Sequence, residues 1–244
     1  DDVRPLPWGL KLAGQIVCAG IAADALPPDL PAEWLIGSVW TTRVLATVVL
    51  VAVMNLANFV AGIDGITTAH AVPTFAVSAS AVALGVLPFP ASICAAATCG
   101  AMIGFWWRNR HPARIFLGHA GSLPIGLLFG WLRLLLAGRG QVAAALLILA
   151  YPLADGGSTP LRRLVAGKRL TQPHRDHAYQ RAVDSGLRVR QVSRTVLLVS
   201  LVRGTLAMIA ILARGGWIGI GALAIGLGWV AIPIIGWLQR PLQR

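Results

Sequence analysis

A chain of 244 residues that is 56% hydrophobic and only 12% charged, with a mean hydropathy of +0.71, has the profile of a polytopic membrane protein and argues against a water-soluble domain. Its formal charge of +12 does not point to nucleic acid, because the cations sit between apolar runs rather than along one soluble face. Cys18, Cys94 and Cys99 lie in or beside apolar runs without metal-ligand spacing, which leaves them as small core residues rather than a disulfide framework.

A span needs roughly 20 apolar residues to cross roughly 30 Å of hydrocarbon. By that measure the chain divides into about eight spans, near 10–26, 34–54, 68–87, 90–107, 122–137, 141–155, 195–213 and 216–238. The expected fold is all-α: a polytopic transmembrane helical bundle, one domain over residues 1–244, with a long basic loop over 156–194. The 122–137 and 141–155 runs are short, and one tight hairpin that does not fully cross is the alternative there.

Alternate connections differ in Lys and Arg as the positive-inside rule requires. One side carries Arg4, Lys11, the 55–67 turn, Arg108, Arg110, Arg114, the basic loop, Arg240 and Arg244, whereas the other carries Asp24, Asp29 and Glu33 with only Arg139 and Arg214 as cations. The first side is read as cytoplasmic. Arg43, Arg133 and Arg203 fall inside apolar runs and are expected to face the bundle interior or to snorkel. Trp8, Trp34, Trp40, Trp106, Trp107, Trp217 and Trp237 cluster near span ends as interfacial anchors, and Gly215 and Gly219 have the small-xxx-small spacing of close helix packing.

Four polar motifs share the side read as cytoplasmic. The first is DDVRPL, where Asp1 and Asp2 offer adjacent carboxylates suited to a hard cation such as Mg2+, or simply two solvated acids. No Met or leader precedes them, so the chain reads as part of a longer protein. The second is NLANFVAGIDGI, Asn55 to Ile66: Asn55 and Asn58 stand one helical turn apart, and Gly62 and Gly65 bracket Asp64 in what reads as a tight turn. The third is FLGHAGSLPIG, where glycines surround His119, and Ser122 is placed to cap the next helix. The fourth is the basic loop. Thr159 and Pro160 can start a short helix there, Arg162 and Arg163 can fork onto phosphate oxygens, and His174 and His177 in PHRDHAYQR would share one helical face. Orientation alone accounts for the charge of that loop, but not for two histidines, Tyr179 and Gln180 in one run.

Taken in order, these motifs resemble the polyprenyl-phosphate N-acetylhexosamine-1-phosphate transferases, a membrane family with an Asp-Asp pair, an N-x-x-N-x-x-D-G-x-D-G segment, a G-D-x-G-S segment and a basic loop with a His motif. Here Asp1-Asp2, Asn55 to Gly65, Gly118 to Ser122 and Asp155 to Gln180 look like those segments, and HRDHAYQ looks most like the bacterial branch that primes O-antigen-type glycans. The family has further spans ahead of its Asp-Asp pair, so a complete chain is expected to hold about three more N-terminal helices.

The resemblance implies transfer of a sugar-1-phosphate from a UDP-N-acetylhexosamine to polyprenyl phosphate with release of UMP, in a bacterial inner membrane with the site facing the cytoplasm. It implies Asp1 and Asp2 as ligands of Mg2+ or Mn2+, and Asp1, Asp2 and Asp64 as catalytic carboxylates. Asn55, Asn58, His119, Ser122, Arg162, His174, Arg175 and His177 become substrate-binding residues. Membrane lipids and a second copy of the chain are the remaining expected partners. Two positions depart from the pattern. Ala61 stands where the family has the first Asp of D-G-x-D-G, and His119 stands at the acidic position of G-D-x-G-S, where an imidazole is a poorer ligand for a hard cation. A degenerate member that binds polyprenyl phosphate or a partner without catalysis is therefore the competing reading. A transporter using Arg43, Arg133 and Arg203 is a third.

Overall fold

The computed structural model describes residues 7–27, 38–168 and 174–241, so Asp1, Asp2, Arg4, Asp29, Glu33, Trp34, Arg169 and Arg244 lie outside the described residues. Among the described residues the regular structure is entirely helical. The order is α1 (Trp8–Asp24), α2 (Val39–Phe59), α3 (Ile66–Ser80), α4 (Phe89–Asn109), α5 (Gly118–Gly138), α6 (Val142–Pro152), a π-helical turn (Leu153–Gly157), α7 (Ser158–Val165), α8 (Ala178–Asp184), α9 (Val189–Leu212) and α10 (Gly216–Gln239). Among the described residues six helical segments are long and apolar enough to cross a membrane, and the chain is an integral membrane protein. The first and third legs are shorter, with 17 residues in α1 and 15 in α3.

The short-hairpin alternative does not hold. The fifth leg is a 21-residue helix, and α6 runs on through the π turn into α7 as one 24-residue segment, Val142–Val165. Proline explains the break. Pro152 has no N–H for the usual i→i−4 bond, and a widened turn keeps the helix going past it. The Thr159 hydroxyl donates to the Asp155 carbonyl at 2.9 Å, which carries the chain into α7. Much of the expected 156–194 loop is consequently helical, as α7, α8 and the start of α9.

A large apolar core fills the middle of the bundle around Leu50, Phe75, Leu132, Leu136, Leu147 and Ile148. The backbones of α2 and α5 come close enough that a Cβ at Gly126 would lie 2.7 Å from Met54 Cα. A second core at the basic end joins Ile63, Ile66, Tyr151, Tyr179, Val192 and Trp237. Trp237 is thus buried rather than an interfacial anchor, because α10 turns it onto α8. Trp8, Trp40, Trp107 and Trp217 are exposed near helix ends as expected. Cys18 and Cys94 are exposed, not core residues, since their helix faces point away from the bundle. Arg133 and Arg203 face the interior, and Arg43 donates to the carbonyls of Ala23 and Leu26.

Candidate functional site

The second motif folds into a hairpin between α2 and α3. Gly65 caps α3 with φ +74, a left-handed conformation that glycine adopts without strain. The turn presents Asp64 to the 110–117 connection. His111 Nδ1 lies 2.7 Å from Asp64 Oδ2, the same oxygen accepts the Ala113 N–H at 3.0 Å, and Ser193 of α9 donates to the Asp64 carbonyl at 2.6 Å. Behind this clamp the buried Asn109 accepts the Gly65 N–H at 2.9 Å and donates to Ile115 O at 2.8 Å.

Asn55 and Asn58 leave α2 towards different neighbours. Asn55 donates to Gln15 of α1 at 2.7 Å, while Asn58 accepts from Ser122 of α5 at 2.7 Å. Ser122 therefore does not cap α5. That helix begins at Gly118, where the Gly121 N–H already bonds to Leu117 O, and Ser122 sits one turn inside it. His119 lies in the first turn of the same helix.

His174 and His177 come together, but not on a helical face. His177 is the N-cap of α8, with φ −64 and ψ 146, so the helix starts only at Ala178. Its ring stands 5.3 Å from His174, 5.5 Å from Phe59 and, stacked, 5.8 Å from Tyr179. The loop is tied down by Asp155, a fully buried carboxylate at the π turn that accepts the Ala178 N–H at 2.7 Å. Tyr179 donates to Phe59 O at 2.8 Å, and a Cβ on Gly62 would overlap the Tyr179 hydroxyl, so α8 rests directly on the second motif. Arg163 pairs with Asp176, Arg162 donates to Thr159 Oγ1 at 2.8 Å and to Asp176 O at 3.2 Å, and Arg175 pairs with Asp184 at 3.0 Å. These arginines brace the loop internally.

Burial, reinforced by the neighbouring His174, pushes the His177 pKa down to about 4. Burial, with Arg163 close by, lowers that of His174 as well. At neutral pH both are neutral imidazoles, each able to donate one hydrogen bond and accept another. Burial also raises the Tyr179 phenol, which stays protonated and donating. Among the described residues His177 Nδ1 has no hydrogen-bond partner, and it lies 3.9 Å from Asp155 Oδ1. The His177 cluster and the Asp64 clamp are joined through residues 59–64. One packs on Phe59 and the other ends on Asp64.

Among the described residues no three His, Cys, Asp or Glu side chains converge on one point, and one Asp64 oxygen already has two partners. The described residues thus form no preassembled cation site. Asp1 and Asp2, the expected ligands, lie outside them.

A sequence profile for "Glycosyl transferase family 4" matches residues 1–137, more than half of the chain, including both the Asn55–Gly65 and Gly118–Ser122 segments. The chain belongs to this family.

Within glycosyl transferase family 4, curated relatives align over most of the chain. The decaprenyl-phosphate N-acetylglucosaminephosphotransferase of Mycolicibacterium smegmatis is 31% identical over 82% of this chain and 57% of its own length. The probable undecaprenyl-phosphate N-acetylglucosaminyl 1-phosphate transferase of Bacillus subtilis is 26% identical over 93% of this chain and 63% of its own length. A phospho-N-acetylmuramoyl-pentapeptide-transferase of Aliarcobacter butzleri is 37% identical over 34% of this chain and 28% of its own. The chain thus spans little more than half of the longer matches.

Sequence reasoning did not single out His111, Asn109 or Ser193, and it took Asp155 only as the end of a span. A signal existed for His111 and Asn109. They lie in RNRHPAR, directly before the third motif and on the same side of the membrane. Asp155 is the one carboxylate between Asp64 and Asp176, a charge that an apolar helix does not keep without a partner.

Proposed function

We propose that the protein transfers an N-acetylhexosamine-1-phosphate from a UDP-sugar to polyprenyl phosphate, releasing UMP, as a priming step in cell-envelope glycan synthesis. The observation that supports it most is the meeting of two further motifs and the 110–117 connection on the 58–64 segment: Ser122 on Asn58, Tyr179 and His177 on Phe59, and His111 on Asp64. The names of the relatives supply the reaction class.

In this reading the site faces the cytoplasm of a bacterial inner membrane, as the distribution of Lys and Arg suggests. Both reactants are anionic phosphates, so the site must neutralise charge and align the attacking oxygen. Asp64, held by His111 and the Ala113 N–H, keeps its second oxygen to orient the sugar nucleotide. Asn55, Asn58, His119 and Ser122 line the approach with hydrogen-bonding side chains. His174 and His177 donate to phosphate oxygens as neutral imidazoles, while Arg162 and Arg175 hold their loop over the site. Asp1 and Asp2 would hold Mg2+ or Mn2+, which supplies Lewis-acid polarisation of the diphosphate when bound.

The test is to incubate the purified full-length protein with UDP-N-acetylhexosamines and polyprenyl phosphate, with a relative as control. Formation of a lipid-linked sugar diphosphate and UMP is expected. No product with any UDP-N-acetylhexosamine, while the relative turns over, would reject catalysis. The second reading, a degenerate member that binds lipid phosphate or a partner without catalysis, is favoured by Ala61 and His119. The transporter reading loses support because Arg203 and Arg133 are engaged by helix carbonyls and hydroxyls.

A further inference from the structure

A groove at the basic end extends outward from the Asp64 clamp. It opens between α3, α4 and α9, encloses about 1030 Å3 and reaches inward to Asp64 and Gly65. Arg108, Arg110, Arg114, Arg190 and Arg194 form its mouth, while Val72, Ile103 and Leu197 supply apolar wall. Among the described residues none of these arginines has a carboxylate partner. The single carboxylate among the described residues of the groove, Asp64, is already bonded by His111 and Ala113 through one oxygen.

Three further features point to an amphiphile. Arg110 lies over the Trp107 ring at 4.1 Å, and Trp106 beside it completes an aromatic pair of the kind found at headgroup level. Ile103 is 54% and Trp107 61% exposed on the outward face of α4, so the groove is open on the side where lipid lies. Thr68, 5% exposed, lines the groove with a hydroxyl that has no hydrogen-bond partner among the described residues.

We propose that this groove binds an anionic phospholipid of the adjoining leaflet, with its phosphate on the arginine mouth and an acyl chain along Ile103, Val72 and Leu197. A free phosphate would match the charge but leave the apolar wall bare. A zwitterionic lipid would match the wall but leave the arginines uncompensated. Guanidinium groups bind phosphate oxygens in bidentate pairs, and basic pockets between membrane helices favour anionic head groups. Asp64 and His111 line both this groove and the proposed transfer site, so a lipid here would brace the connection that carries His111, and its binding does not require transferase activity.

Native mass spectrometry of the purified full-length protein with equimolar phosphatidylglycerol and phosphatidylcholine tests this. Retention of phosphatidylglycerol at least tenfold over phosphatidylcholine is expected in the wild type, and loss of that preference in the Arg108→Gln/Arg194→Gln variant. Arg139→Gln, at the opposite end of the bundle, should keep the preference. A second arm needs no groove-arginine variant: brominated phosphatidylglycerol should quench tryptophan fluorescence more than brominated phosphatidylcholine, and Trp106→Phe/Trp107→Phe should abolish the difference. Equal retention of the two lipids, or an unchanged preference in the arginine variant, would overturn the proposal. So would displacement of the lipid by micromolar UDP-N-acetylhexosamine or polyprenyl phosphate, which would make the groove a substrate site instead.

Discussion

Arg203 donates to the Ile148 carbonyl at 2.8 Å, the acceptor that an N–H at position 152 would ordinarily satisfy and that Pro152 cannot. The same guanidinium reaches Leu147 O at 3.1 Å, Ser200 Oγ at 2.8 Å and His70 Nδ1 at 3.1 Å. A cation inside the bundle thus repairs the gap that a proline opens in the neighbouring helix. Arg203→Met should destabilise the protein by about 1–3 kcal/mol, the cost of stranding buried acceptors. In the Arg203→Met/Pro152→Ala double variant the new N–H should recover part of that loss, and thermal unfolding in detergent across the four proteins of the cycle measures the coupling. Strict additivity would show that the two residues are unrelated.

Gly62 is the contact surface for Tyr179. Gly62→Ala should displace α8 and lower sugar-phosphate transfer at least tenfold, about 1.4 kcal/mol in barrier. Tyr179→Phe loses one hydrogen bond to Phe59 O and should cost about 1 kcal/mol in stability. Combined with Gly62→Ala, it should restore part of the transfer rate, because the overlapping hydroxyl is gone. Turnover and melting temperature, read together, separate the two effects.

His174→Ala and His177→Ala should each lower turnover at least tenfold without unfolding the protein. Normal rates in both would leave the pair a packing element of the loop with no part in transfer. His177 also sets a pH dependence. Its pKa falls from an ordinary 6.5 to about 4 on folding, so between those values the unfolded chain takes up the proton first. Stability from this residue is complete above pH 6.5 and is lost as the pH falls towards 4, to a limit of about 3 kcal/mol at 1.4 kcal/mol per unit. His177→Gln should therefore show a smaller drop in melting temperature between pH 7 and pH 4.5 than the wild type.

The His111 contact with Asp64 is partly exposed, and its worth in stability should be small, about 1 kcal/mol or less. Its expected role is to aim the carboxylate. His111→Ala should raise KM for the sugar nucleotide with little change in melting temperature, whereas an unchanged KM would make the pair incidental.

Ala61→Asp with His119→Asp restores the carboxylates of the family pattern. If the natural protein is inactive and this variant transfers sugar-1-phosphate, degeneracy is established. If the natural protein is already active and the double variant gains nothing, the departures are tolerated. Product formation across a Mg2+ titration reads both outcomes.

The sequence by itself determined the membrane character, the succession of apolar legs, the segregation of Lys and Arg, and the family motifs, because each of these is a property of composition or local spacing. Asp64 in its glycine-bracketed turn was legible for the same reason. Tertiary structure alone decided the partners. His111 meets Asp64 across 47 residues, Ser122 meets Asn58 across 64, and Tyr179 meets Phe59 across 120. Such contacts depend on how helices cross, which pairwise spacing does not encode. The same holds for errors of local reading. His174 and His177 have helical spacing, yet the buried Asp155 carboxylate takes the Ala178 N–H and starts α8 one residue after His177. An N-terminal amide of that helix is satisfied by a side chain 23 residues away, and that buried bond, rather than the period of the sequence, places the two rings together.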